Sequence, residues 1–239
     1  MNTSPEIILD CRELTKTVVT GSGKSGAKPL TILQPIDLQV KSGESVAIIG
    51  ASGSGKTTLL SILAGLDLPS SGEIYLKRKP MHTFDEEQRS KVRADHVGFI
   101  FQSFLLISSL TALENVMLPA ELANDDNAKE QAMVMLEKVG LGDRVDHFPS
   151  QLSGGEQQRV AIARAFVSKP DILFADEPTG NLDSKTGEYI STLLFDLNQQ
   201  QGTTLVLVTH DQKLALRCQR QLTMESGRFI NQQVMAEVS

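Results

Sequence analysis

Gly50-Ala51-Ser52-Gly53-Ser54-Gly55-Lys56-Thr57 decides the fold. The stretch satisfies the phosphate-binding pattern G-x-x-x-x-G-K-[ST], and its flanks supply the strand–loop–helix context that the pattern requires. Upstream, Ser45-Val46-Ala47-Ile48-Ile49 is a short apolar run, as in a strand buried on both faces of a parallel sheet. Downstream of Lys56, Leu59, Ile62, Leu63 and Leu66 recur at helical spacing, and Gly65 suits a helix end. Gly50, Gly53 and Gly55 can take positive φ and let the backbone N–H groups of residues 50–58, through Thr58, close around the β-phosphate of a nucleotide. Lys56 is expected to reach the β- and γ-phosphates, and the Thr57 hydroxyl to ligate Mg²⁺. A second GSGKS, Gly21-Ser22-Gly23-Lys24-Ser25, has Val18 where the first glycine belongs and Gly26-Ala27-Lys28-Pro29 where the helix belongs. It reads as a hairpin connection at the surface.

A second buried-strand run, Asp171-Ile172-Leu173-Phe174-Ala175, ends in Asp176-Glu177. Side chains alternate across a strand, so these neighbouring carboxylates point apart and suit separate tasks. Asp176 is expected to hold Mg²⁺ and Glu177 to orient and deprotonate the attacking water, with Pro178 ending the strand. An isolated Asp-Glu pair would be an ordinary acidic strand end; the phosphate loop upstream favours the chemical reading.

Leu152-Ser153-Gly154-Gly155-Glu156 opens a helix through the S-x-x-E capping box. Two glycines in the first turn cost about 1 kcal/mol each in helix propensity. They are sensible where the backbone must approach something closely, and a helix N-terminus suits an anion. With one complete phosphate loop and one Asp-Glu pair per chain, the economical expectation is that Ser153, Gly154 and Gly155 meet the γ-phosphate of a nucleotide held by another subunit.

Leu152-Ser153-Gly154-Gly155-Glu156-Gln157-Gln158-Arg159 resembles the signature of ATP-binding-cassette (ABC) ATPases, and the resemblance covers essentially the whole chain in the family's order. It implies ATP and Mg²⁺ as cofactors. In Phe99-Ile100-Phe101-Gln102-Ser103-Phe104, Gln102 resembles the glutamine that contacts Mg²⁺ and senses the membrane subunit. Asn181-Leu182-Asp183 resembles the loop that faces the nucleotide across the dimer. His210, closing Thr204-Leu205-Val206-Leu207-Val208-Thr209-His210-Asp211, resembles the histidine that contacts the γ-phosphate. The implied fold is α/β: a P-loop NTPase (RecA-like) parallel-sheet core, an antiparallel β subdomain and an inserted α-helical subdomain at about 103–168, within a single domain spanning 1–239.

One departure stands out. Val18 falls where the family stacks adenine on an aromatic side chain. Loss of such a stack is worth on the order of 1–3 kcal/mol by analogy with nucleic-acid stacking, so GTP is expected to compete unusually well. Ala64-Gly65-Leu66-Asp67, Leu113-Glu114-Asn115-Val116, Ala175-Asp176-Glu177-Pro178-Thr179-Gly180-Asn181-Leu182-Asp183 and Val208-Thr209-His210-Asp211 resemble the lipoprotein-releasing and macrolide-export subgroup. That implies a homodimer of ATPase subunits at the cytoplasmic face of a bacterial inner membrane, serving a separate permease with a large extracytoplasmic domain. The apolar Phe104, Leu105, Leu106, Ile107 and Leu110 are then expected to leave some surface exposed for the permease.

Composition narrows the alternatives. The 239 residues suit one module with a large core. A net charge of −6 without a basic tract gives no reason to expect nucleic acid. Cys11 and Cys218 match no metal or redox spacing and fit a reducing cytosol. No run approaches the roughly 20 apolar residues needed to cross a bilayer, and Met1-Asn2-Thr3-Ser4-Pro5-Glu6 is not read as a signal peptide. A soluble ABC ATPase acting on DNA or ribosomes would be expected to carry tandem cassettes, a long coiled coil or zinc-binding cysteines. A P-loop kinase leaves Leu152–Arg159 unexplained. A cell-division ATPase of the same group, acting without transport, is an alternative beside the soluble ABC ATPase.

Overall fold

The computed structural model describes residues 6–20 and 28–234. In chain order the elements are β1 (Ile7–Thr20), β2 (Lys28–Lys41), β3 (Ser45–Ile49), α1 (Lys56–Leu63), β4 (Ser71–Leu76), β5 (Lys79–Pro80), α2 (Glu86–His96), β6 (Val97–Ile100) and α3 (Ala112–Leu122). There follow α4 (Ala128–Lys138), a 3-10 turn (Pro149–Gln151), α5 (Gly154–Phe166), β7 (Ile172–Asp176), α6 (Ser184–Gln201), β8 (Thr204–Thr209), α7 (Gln212–Ala215), β9 (Arg220–Glu225) and β10 (Arg228–Val234). Two compact units are formed, one from Met1–Arg93 with Val206–Ser239 and one from Ala94–Leu205.

The first unit contains an antiparallel sheet in the order β2-β1-β4-β5. Ile36, Leu38 and Val40 alternate with exposed residues along β2, and all three are buried. Leu33 is buried too, although its spacing from Ile36 is odd. The pairing of β1 with β2 accommodates this through register shifts around Leu14 and Lys16, with Glu13 at φ 49°. Such a bulge returns the next apolar side chain to the inner face. Thr20 pairs with Lys28, so the GSGKS at 21–25 joins antiparallel neighbours, while that segment itself lies outside the described residues. The unit's other strands run β10-β9-β3-β8. β3 pairs in parallel with β9, Val46 opposite Arg220 and Ile49 opposite Thr223. Four of the five residues of β3 are buried, as its unbroken apolar run predicts. α1 buries Leu59, Leu60, Ile62 and Leu63. Leu66, read as part of the same face, lies beyond the helix end and is exposed, because Gly65 at φ 72° has already turned the chain.

In the second unit β6 pairs in parallel with β7, Val97 opposite Ile172 and Ile100 opposite Ala175. The segment at 103–168 holds α3, α4 and α5, which pack on one another through buried Val116, Ala120, Ala132, Leu136, Val160 and Phe166. Both α3 and α5 begin with a complete capping box, Thr111 with Glu114 and Ser153 with Glu156. The helix of 18 residues, α6, ends at Gly202 in the left-handed conformation. Among the described residues no helix is long and apolar enough to cross a membrane.

Candidate active site

The phosphate loop turns from β3 directly into α1, and its glycines serve different ends. Gly53 and Gly55 use their freedom to take positive φ, at 79° and 100°. Gly50 does not use it, and is required for another reason. A Cβ on Gly50 would stand 2.2 Å from the Met224 carbonyl oxygen, so close approach to β9 excludes any side chain there. Ser54 N–H donates to the Ala51 carbonyl at 3.2 Å, and the Ser54 carbonyl accepts from Gly227 N–H at 3.0 Å, fixing the loop to the turn before β10.

α1 starts without a side-chain cap, since Gly55 has no acceptor to offer, and its first turn holds no acidic residue. The N-terminal end of a helix dipole presents roughly half a positive charge to an incoming anion. Lys56 is buried and curls over its own loop, its Nζ donating to the carbonyl oxygens of Gly50 (2.8 Å) and Ala51 (2.9 Å). Ala51, Ser52, Gly53 and Thr57 are exposed, and Thr58 is half-buried. His210 is exposed immediately after β8, and the following Asp211 caps α7. Val18 sits half-buried in β1 opposite Leu30.

In the second unit β7 delivers Asp176, buried, at its last position. Glu177 has left the strand, at φ 44°, so strand alternation governs the carboxylate pair only as far as Asp176. Gly180 N–H donates to the Glu177 carbonyl at 3.0 Å, closing a turn. A Cβ at Gly180 would lie 3.0 Å from Glu177 Oε2 and 3.2 Å from Gln102 Nε2, which places Gln102, Glu177 and Gly180 around one point. Asn181 Nδ2 donates to the Gln102 carbonyl at 2.8 Å. Gln102 is itself exposed.

The N-termini of α5 and α6 bring Ser153, Gly154, Gly155 and Asp183 into one neighbourhood. Glu156 Oε2 accepts from Ser153 N–H (2.8 Å) and Oγ–H (2.7 Å), so the serine proton is committed within its own helix. These bonds, from the hydroxyl first and the N–H second, hold the Glu156 carboxyl below its ordinary range. Gly155 has a packing reason that the sequence reading assigned to phosphate approach: a Cβ there would stand 2.6 Å from Thr186 Cγ2. Gly154 meets only ordinary contacts, at 3.7 Å and beyond, and is exposed. Asp183 caps α6, accepting from Lys185 N–H (3.1 Å) and Thr186 N–H (3.0 Å), and this lowers its pKa.

Three residues to which the sequence alone assigns no individual role, Arg164, Asn115 and Gln158, organise this unit. Arg164 donates to the carbonyl oxygens of Leu105 (2.7 Å) and Phe104 (2.8 Å), two consecutive residues at φ 47° and 61°. Desolvation lowers the Arg164 pKa. Asn115, fully buried, receives Ile107 N–H at 2.8 Å and donates to the carbonyls of Ile107, Leu110 and Thr111. A lone asparagine on an apolar helix face was the available signal. Gln158 donates to the Pro178 carbonyl at 2.7 Å. In the loop so held, Leu105 and Ile107 are exposed, whereas Phe104, Leu106 and Leu110 are half-buried.

Residues 33–180 match the family model described as ABC transporter. Over 226 residues the chain is 56% identical to the "Uncharacterized ABC transporter ATP-binding protein YbbA" of Escherichia coli strain K12, covering 94% of this chain and 97% of that protein. It is 48% identical over 224 residues to the "Lipoprotein-releasing system ATP-binding protein LolD" of Xanthomonas axonopodis pv. citri strain 306, covering 93% and 90%. The structure superposes with a TM-score of 0.86 on the dimeric, post-hydrolysis ATP-binding cassette MJ0796 bound to ADP and Pi, at 40% identity, covering 95% of this chain and 99% of that one. An uncapped phosphate-loop helix, an acidic β7 end and a glycine-led α5, in a chain so closely matched along its length, establish that it belongs to the ABC transporter family and is one of its ATPase cassettes.

Proposed function

We propose that two copies of this chain close around two ATP molecules and drive a separate membrane permease of the lipoprotein-releasing type. The observation that carries the reading is the pair of dissimilar helix starts: α1 has no side-chain cap and opens from a phosphate loop, while α5 is capped and led by Gly154-Gly155. Each is half of an anion site, and two copies arranged head to tail complete both halves. The MJ0796 cassette, which is dimeric with ADP and Pi, supports the arrangement.

In this reading Lys56 exchanges the Gly50 and Ala51 carbonyls for phosphate oxygens, and the N–H groups of residues 50–58 enclose the phosphates. The oxygen donors of Thr57, Asp176 and Gln102 suit Mg²⁺, which takes one or two carboxylates and keeps phosphate and water for the rest. No cluster of three His, Cys, Asp or Glu exists among the described residues to favour another metal. When bound, Mg²⁺ neutralises charge developing on the phosphates. Glu177 orients and deprotonates the attacking water, and His210 contacts the γ-phosphate. Gly154 and Gly155 of the second copy receive that phosphate on the α5 N-terminus, joined by Ser153 once its hydroxyl exchanges Glu156 for a phosphate oxygen, with Asp183 facing across. Exposed Leu105 and Ile107, on the loop after Gln102, offer apolar surface to the permease. The assembly then sits peripherally on the cytoplasmic side of a bacterial inner membrane, the permease carrying a large extracytoplasmic domain and the determinants of cargo.

Glu177→Gln is expected to bind Mg-ATP and lose about 10²- to 10⁴-fold in turnover, the usual worth of a general base. Light scattering of that variant is expected to give twice the monomer mass with Mg-ATP and the monomer mass without nucleotide. Purified from native membranes with Mg-ATP, it is expected to retain a permease. A monomer under both conditions overturns the dimer, and recovery of soluble partners alone overturns the membrane assignment.

A further inference from the structure

We propose that Gln158 is a positioning residue for catalysis: from the buried face of α5 it holds the turn that aims Glu177. The inference rests on Glu177 being the base. At φ 44° Glu177 occupies a backbone conformation that side-chain-bearing residues adopt only where their surroundings impose it. On its C-terminal side the turn is fixed by Gly180 N–H to the Glu177 carbonyl (3.0 Å) and Leu182 N–H to the Thr179 carbonyl (3.1 Å). Between them lies Pro178, which has no N–H and can be anchored through its carbonyl alone. Gln158 Nε2 supplies that anchor at 2.7 Å, across 20 residues of sequence and in a fully buried setting.

Methionine of similar length could fill the same buried position but has no N–H to donate to the Pro178 carbonyl. The N–H donated to Pro178 is what distinguishes glutamine at this position. Gln158 lies five residues, about one and a half helical turns, behind Ser153, so a shift of the α5 N-terminus moves its amide and, through Pro178, the backbone of Glu177. The same helix end that meets a phosphate in the second copy thereby governs the aim of the base in its own chain.

The test compares steady-state ATPase kinetics of the wild type, Gln158→Met, Gln158→Glu, Glu177→Gln and the Gln158→Met/Glu177→Gln double variant, each first checked for a nucleotide-dependent thermal shift. Gln158→Met and Gln158→Glu are expected to lower kcat on the order of 10²-fold, the loss typical of a catalytic group displaced by about 1 Å, with KM for ATP unchanged. Because Gln158 acts through Glu177, adding Gln158→Met to Glu177→Gln is expected to slow single-turnover hydrolysis no further. Wild-type kcat in Gln158→Met beside an inactive Glu177→Gln overturns the inference and leaves the base intact. A further loss in the double variant, or KM rising with kcat unchanged, makes Gln158 merely structural. Normal turnover by Glu177→Gln removes the base assignment and the inference with it. Should either Gln158 variant fail to fold, the other decides.

Discussion

Gly155 shows how one residue answers two demands. Its missing side chain leaves the α5 N-terminus bare, and it also admits Thr186 Cγ2 to within 2.6 Å of where a Cβ would stand. Gly155→Ala gains up to about 1 kcal/mol of helix propensity, against about 1–3 kcal/mol for overpacking. The clash is expected to win, leaving the variant destabilised by roughly 0–3 kcal/mol in urea unfolding, the difference of those two ranges. Thr186→Ser removes the offending methyl, so the double variant is expected to recover fully and keep the propensity gain. Stability above wild type in Gly155→Ala alone defeats the packing account. At this scale the sequence was legible wherever the reason was local: the 50–57 motif lies between β3 and α1, Asp176 ends β7 and the S-x-x-E box caps α5, while Glu177 at φ 44° escapes the strand pattern. It was illegible where the reason lay elsewhere in the chain. Gly50 is required by Met224, and Gly155 by Thr186, neither of which any local pattern connects to it.

At the scale of elements, α5 does more than its motif implies. Ser153 and Glu156 close its start, Gln158 reaches Pro178, and Arg164 reaches the carbonyls of Phe104 and Leu105. The helix and its cap were readable from Ser153 and Glu156, whereas the partners of Gln158 and Arg164 lie 20 and 59–60 residues away and leave no periodic trace. Glu156 makes the cap sensitive to acid. Its folded pKa is held below the ordinary value by the Ser153 hydroxyl and N–H. A depressed carboxyl adds stability above the unfolded pKa, about 4.3, and loses it as pH falls through the folded pKa. Glu156→Gln retains a capping partner that does not titrate. The stability advantage of wild type over this variant is therefore expected to shrink in urea titrations as pH falls from about 7 to below about 4. A difference constant across that window shows that the cap does not depend on the carboxylate charge.

At the scale of the molecule, two buried thiols report how the unit carrying the phosphate loop opens. Burial pushes Cys11 and Cys218 up to about 12, so both are neutral at pH 7 and shielded from reagents. Both belong to the Met1–Arg93 with Val206–Ser239 unit, Cys11 in β1 opposite Leu38 and Cys218 between α7 and β9. The thiolate is the reactive species, and alkylation or disulfide exchange must await opening of the fold. A nucleotide that binds only the closed form at 100 times its Kd adds about 2.7 kcal/mol to the opening free energy. Labelling of both cysteines is accordingly expected to slow about 100-fold in saturating Mg-ADP, to the same degree and with urea dependences that match. Equal slowing means that the antiparallel sheet and the strands around the phosphate loop open together, which follows if the backbone bonds from Ser54 to Gly227 and from Gly227 to Gln34 join them. Slowing of Cys218 alone means that the β1–β2 hairpin opens by itself, and nucleotide binding is then felt only through β3, α1 and β9. Rapid labelling of either thiol in native protein without nucleotide contradicts the burial on which the argument stands.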